Sequence, residues 1–162
     1  MTTTTDPKLA LLRHTVATLA YRGGKALRGS PPGFATFRAA PGSRSPLEIL
    51  AHLGDLLAWA VSQARGKPEW HAAAPLGWDE EVARFFDGLA ALDGQLASGA
   101  LPGLPAEQLF QGPIADAFTH VGQLAMLRRI AGAPLCGENF VRADIVAGRV
   151  GPEQTPPARE FD

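Results

Sequence analysis

The chain has 162 residues and carries 15 Lys and Arg against 16 Asp and Glu, a formal net charge of -1. That length suits one core and hardly two, and with no basic excess to neutralise phosphates, non-specific nucleic-acid binding is excluded as an expectation. The 28 Ala and 20 Leu stand against only seven Val and four Ile, so residues that favour a pleated surface are scarce and the chain should be almost entirely helical. The single cysteine, Cys136, excludes an internal disulfide framework and any thiolate-rich metal cluster within one chain.

Met1 to Asp6 is a polar threonine run without the basic and apolar segments of a secretion signal. No uninterrupted apolar stretch approaches the roughly 18 residues that span a bilayer, so the expectation is a cytoplasmic protein with no membrane partner. The first helix should start at Asp6 and Pro7, an N-cap followed by the residue best tolerated at the first helical position, and run to about Leu27. Gly23 and Gly24 count against its later half. A loop rich in Pro, Gly and Ser, from Arg28 to Arg44, leads to Ser45-Pro46-Leu47-Glu48, which has capping-box spacing. The second helix then continues through Ile49, Leu53, Leu56 and Ala60 until Gly66 ends it.

Val82, Phe85, Phe86, Leu89, Leu92 and Leu96 form a helical stripe that predicts a third helix over Trp78 to Ala97, with an acidic first turn and Gly99 as its stop. Leu101 to Gln111 holds one short helical turn, and Gly112 with Pro113 should open a fourth long helix ending near Gly132. A short fifth helix is expected within Asn139 to Ala147. Pro152, Pro156 and Pro157 make Arg149 to Asp162 an extended tail. Four amphipathic helices of this length cannot bury their faces alone, so the expected fold is all-α: a four-helix bundle with long crossover connections and a short extra C-terminal helix. It is read as one domain, the bundle over about 6–132 and the short helix and tail over 133–162. The long first and third connections leave room to join helices that are not neighbours.

Of the four histidines, His14, His52, His71 and His120, two sit where chemistry is plausible. His52 lies three residues after Ile49 and four before Leu56, on the core-facing stripe of the second helix. On the fourth long helix Asp116 and His120 are four apart, and Gln123 continues the same line. Burying such groups unpartnered is costly, so a partner is required. One is a divalent metal: side chains at i and i+4 have Cβ atoms about 5–6 Å apart and can converge on one ion, with His52 from a facing helix as the third ligand. The other is a plain hydrogen bond between Asp116 and His120.

Pro46-Leu47-Glu48-Ile49-Leu50-Ala51-His52-Leu53, with Trp59 one heptad after the histidine, and Thr119-His120-Val121-Gly122-Gln123-Leu124 resemble the DinB-like family of bacterial four-helix bundles. The resemblance covers Asp6 to Gly132. It implies one zinc or nickel ion per chain held by His52, Asp116 and His120. Most relatives carry histidine where this chain has Asp116, whereas mycothiol-dependent maleylpyruvate isomerase, a related bundle, carries glutamate there. The family also implies a homodimer and a small thiol cosubstrate, since relatives are thiol transferases or thiol-dependent isomerases using bacillithiol, mycothiol or glutathione. The alternative function is a stress-associated bundle that binds a metal, ligand or partner without catalysis.

Around that set, Gln123 is placed to orient a ligand or bond metal-bound water, and Trp59 to wall the pocket or simply fill the core. Arg22 and Lys25 on the first helix either meet the carboxylates of a thiol cosubstrate or are solvated surface charges. Cys136 has no histidine beside it in sequence and is not assigned as a nucleophile. His14 and His71 are read as surface residues, with an extra metal ligand as the alternative for either.

Overall fold

The computed structural model describes residues 6–161. The threonine run before Asp6 and the final Asp162 lie outside the described residues. Helix α1 spans Pro7–Leu27, where the Asp6 side chain accepts from the Lys8 backbone N at 2.8 Å and so satisfies one orphan donor of the first turn. Helix α2 spans Pro46–Ala64 behind a complete capping box. Glu48 N donates to Ser45 Oγ at 3.3 Å and Ser45 N donates to Glu48 Oε2 at 2.6 Å. Helix α3 spans Trp78–Ala97, as the apolar stripe predicts.

The short helix α4 (Ala106–Leu109) is the single helical turn expected before the last long helix. It meets α5 (Ala115–Ile130) across Phe110–Ile114, a π-type segment kinked at Gly112, whose φ of -86° and ψ of -107° are not helical. Pro113 has no N–H to give and would clash with the preceding turn, so the kink falls where Gly112 and Pro113 predict that the last helix opens.

Helix α1 packs on α3 and α5, and α2 packs on the same two, so α1 and α2 lie across a diagonal, as do α3 and α5. The contacts also give directions. Arg13 bonds Asp93 at the far end of α3 while Gly23 faces Phe85, so α1 and α3 are antiparallel. Gly54 faces Arg84 and Leu57 faces Gly88, so α2 and α3 are parallel. The connections 28–45 and 98–105 therefore join diagonal partners, and 65–77 runs the length of the bundle to join the parallel neighbours α2 and α3. The core is aliphatic at its centre, with Leu19, Leu50, Leu53, Leu57, Leu89, Leu92 and Leu124 essentially excluded from solvent. Among the described residues no helix is long and apolar enough to cross a membrane.

The glycines in the later half of α1 do not weaken it; they admit a neighbour. A Cβ added at Gly23 would stand 2.6 Å from Phe85 Cζ. At Gly88 of α3 it would stand 2.8 Å from Leu57 Cβ. Each is a point where two helices approach more closely than a methyl group permits.

The C-terminal segment is shorter in helix and more firmly held than the sequence suggests. The expected fifth helix is a single 3-10 turn, Phe140–Arg142, because the chain on either side is drawn into other bonds. Strand β1 (Gly137–Glu138) pairs antiparallel with β2 (Glu160–Phe161), in register Gly137↔Phe161 and Glu138↔Glu160. The tail is extended, but it folds back on the bundle. Buried Glu138 accepts from Tyr21 Oη at 2.5 Å and from Lys25 Nζ at 2.7 Å, and Lys25 reaches Glu160 at 2.8 Å. Burial and the adjacent carboxylate push the Tyr21 phenol well above its ordinary range.

Two glycine substitutions should therefore act in opposite directions. Gly94→Ala on α3, with nothing within 4 Å of the new methyl, should gain about 0.5–1 kcal/mol from helix propensity. Gly23→Ala should lose about 1–2 kcal/mol by overpacking against fully buried Phe85. Urea denaturation of both variants checks the signs.

Candidate metal centre

The α2–α5 seam is antiparallel, and it brings together the three side chains singled out from the sequence. His52 Nε2 lies 4.0 Å from Asp116 Oδ2, and His120 Nε2 lies 3.6 Å from Asp116 Oδ1. The two imidazoles stand edge to face, 4.8 Å between ring centroids with planes at 88°. One ligand atom from each of the three residues falls within 4.8 Å of the others. Ligand atoms about 2.1 Å from a tetrahedral zinc ion stand about 3.4 Å apart, so the set needs only a small contraction to close on one ion. The side chain of His120 is 11% exposed, that of His52 24% and that of Asp116 47%. The donors are thus two imidazole nitrogens rooted in the bundle and one carboxylate at its surface, with coordination positions left open toward solvent.

Their electrostatics suit a cation. Gln123, one turn along α5, presents its amide oxygen 2.8 Å from His120 Nδ1. In the tautomer that donates from Nδ1 to this oxygen, Nε2, the nitrogen facing Asp116, keeps a free lone pair. Burial, the neighbouring His120 and the charge of Arg44 lower the pKa of His52, against a smaller opposing pull from Asp116 and Asp55, so the imidazole is held neutral.

Trp59 does not touch this set directly. It stacks edge to face on Trp70 at 5.9 Å, and Trp70 in turn stands 5.9 Å from the His52 ring. Trp70 is the aromatic wall of the site, and sequence reading missed it because it lies in a loop with no periodicity to aim it. Its position is set by the loop's anchors. Ser62 Oγ accepts from Glu69 N at 3.0 Å, and Leu76 N donates to Glu81 Oε1 at 3.0 Å. Arg84 of α3 binds Asp55 of α2 and, at 3.2 Å, Glu81, joining the two helices beneath the loop. None of these three ionised groups was singled out from the sequence.

The remaining candidates lie elsewhere. Lys25 is engaged by Glu138 and Glu160, and Arg22 lies over the Phe140 ring at 4.3 Å; both line a cavity with Cys136 on the α1 side of α5. Neither faces the histidines. Cys136 is a free, exposed thiol. His71 is exposed beside Glu69 at 3.6 Å, and His14 is exposed on α1. Comparison of the chain with protein-family models, with curated proteins and with solved structures finds no match in any of the three.

Removing the amide oxygen tests the orientation of His120. Nitrogen-15 NMR of the metal-free protein should show His120 as the Nδ1–H tautomer, and Gln123→Leu should let the Nε2–H form, the commoner one for free imidazole, reappear. An unchanged tautomer in that variant would show that Gln123 does not set it.

Proposed function

We propose that the chain is a DinB-like divalent-metal protein holding one zinc or nickel ion on His52, Asp116 and His120, and that it is a thiol-dependent transferase or isomerase. The observation that carries the reading is the convergence of those three ligand atoms within 4.8 Å from two helices that meet only in the folded chain. A bound ion with open positions would lower the pKa of a small thiol cosubstrate, such as bacillithiol, mycothiol or glutathione, from about 8.5 and supply thiolate at neutral pH. The chain's own residues do the rest. Asp116 serves as ligand, so its charge offsets half that of a divalent ion, and it is not available as a base. Gln123 keeps the His120 lone pair aimed at the centre, and Trp70, backed by Trp59, screens the His52 side from water. A cytoplasmic homodimer belongs to the same reading.

Metal analysis of protein purified without an affinity tag should give about one zinc or nickel per chain. His52→Ala and His120→Ala should each weaken binding by more than about 100-fold, beyond the loss that outer partners cause, with unchanged helical circular dichroism. A metal-free protein under zinc-replete conditions would overturn the reading. Full occupancy with no turnover across a panel of thiols and electrophiles would leave the non-catalytic metal-binding bundle in its place.

A further inference from the structure

The seam continues past the histidines toward the N-terminus of α2, where it opens into a cleft of about 420 Å³ lined by Arg44, Ile49, His120, Gln123, Met126 and Leu127. Metabolite-sized ligands occupy pockets of roughly this volume. Its inner end is the imidazole and amide just described, its sides are apolar, and the guanidinium of Arg44 belongs to its lining. Met126 is 56% exposed, so an apolar surface is held open to solvent there.

Several arginines are engaged within the chain, whereas Arg44, like exposed Arg65 and Arg129, is not; of these three only Arg44 lines the cleft. Arg38 donates to Glu48 at 2.8 Å and to the Ser43 carbonyl, Arg84 holds Asp55 and Glu81, and Arg13 holds Asp93. Among the described residues Arg44 makes no ion pair. The loop that presents it is nonetheless built: Ser43 Oγ donates to the Ala40 carbonyl at 2.8 Å, Ser43 N donates to the same oxygen at 3.1 Å, and Ser45 begins the α2 capping box. An exposed guanidinium without an ion pair, set beside an apolar cleft, is free to meet a carboxylate with two parallel N–H bonds.

We infer that this cleft binds a small carboxylate with an apolar body: the carboxylate on Arg44, the hydrocarbon along Ile49, Met126 and Leu127, the far end against His120. The inference deepens the proposed function by naming a substrate class, and it rests on the metal reading only for what happens at the far end. The carboxylate and the hydrocarbon use no ligand of the ion; only the far end touches one, His120.

Met126 supplies the probe. The chain has two methionines, and the other is Met1 at the far terminus, so the methyl resonance of carbon-13-labelled Met126 is readily assigned. Hexanoate and its uncharged analogue hexanamide are titrated into chelator-treated and zinc-loaded protein. Hexanoate should shift the Met126 methyl in both, and hexanamide should bind about tenfold more weakly or worse, the loss of a charge-assisted contact. Arg44→Gln should remove that preference while leaving zinc content unchanged, and Arg129→Gln, at an exposed arginine of α5 outside the cleft lining, should keep it. An absent shift, equal affinity in Arg44→Gln, or binding confined to the zinc-loaded protein and indifferent to Arg44 would overturn the inference. Zinc that fails to bind while hexanoate still selects Arg44 would sink the metal centre alone; zinc that binds without that selectivity would sink the cleft alone.

Discussion

Contact between α2 and α5 is the constraint on which the candidate site depends, and chain order does not supply it. In a simple up-down bundle the second and last long helices sit across the diagonal, with His52 and His120 separated by the core. Here the diagonal places are taken by α1 with α2 and by α3 with α5, because the connections 28–45 and 98–105 cross the bundle. The seam so created sets one imidazole edge to face against another with a carboxylate beside both. Close packing elsewhere maintains it: Phe85 fits against Gly23 and Leu57 against Gly88, so the positions of α1 and α2 on α3 leave little freedom for α2 to turn.

The rest of the polar interior is closed. Among the described residues no buried side-chain nitrogen or oxygen lacks a hydrogen-bond partner. Arg84 pairs with both Asp55 and Glu81; Tyr21 and Lys25 satisfy Glu138; Arg128 donates to the carbonyls of Ala26 and Arg28, where a cation also complements the C-terminal end of the α1 dipole. Such pairs hold geometry more than they add stability, since desolvating each charge offsets much of its attraction. Their placement matters for the site: one set pins the loop that carries Trp70, the other pins the tail onto α1. Against that background the histidine pair with Asp116 stands out as a set whose capacity for partners is not used up within the chain, and Arg44 lines the same seam.

The outline of the bundle was legible in local chemistry. Asp6-Pro7 and Ser45-Pro46-Leu47-Glu48 start helices because caps act over one turn, and Gly66 and Gly99 end them because only the left-handed region closes those turns, at φ of 74° and 75°. The lines of His52, and of Asp116, His120 and Gln123, followed from helical spacing alone. Where local reading failed, a distant partner decided. Gly23 was taken as a weakness because Phe85 is 62 residues away in sequence; the fifth helix gave way to a 3-10 turn because β2, from the end of the chain, pairs with β1.

The sequence by itself therefore determined which segments are helices, where most of them begin and end, and which polar side chains share a face. Those are properties of residues within a few turns of one another. Only the tertiary structure decided that α2 lies against α5, that Trp70 instead of Trp59 stands beside His52, and that Arg44 instead of Arg22 or Lys25 reaches the same seam. The physical reason is that helical periodicity specifies a direction around one axis and carries no information about which other axis it faces; that is settled by loop length, by shape at glycine contacts and by ion pairs between segments far apart in the chain.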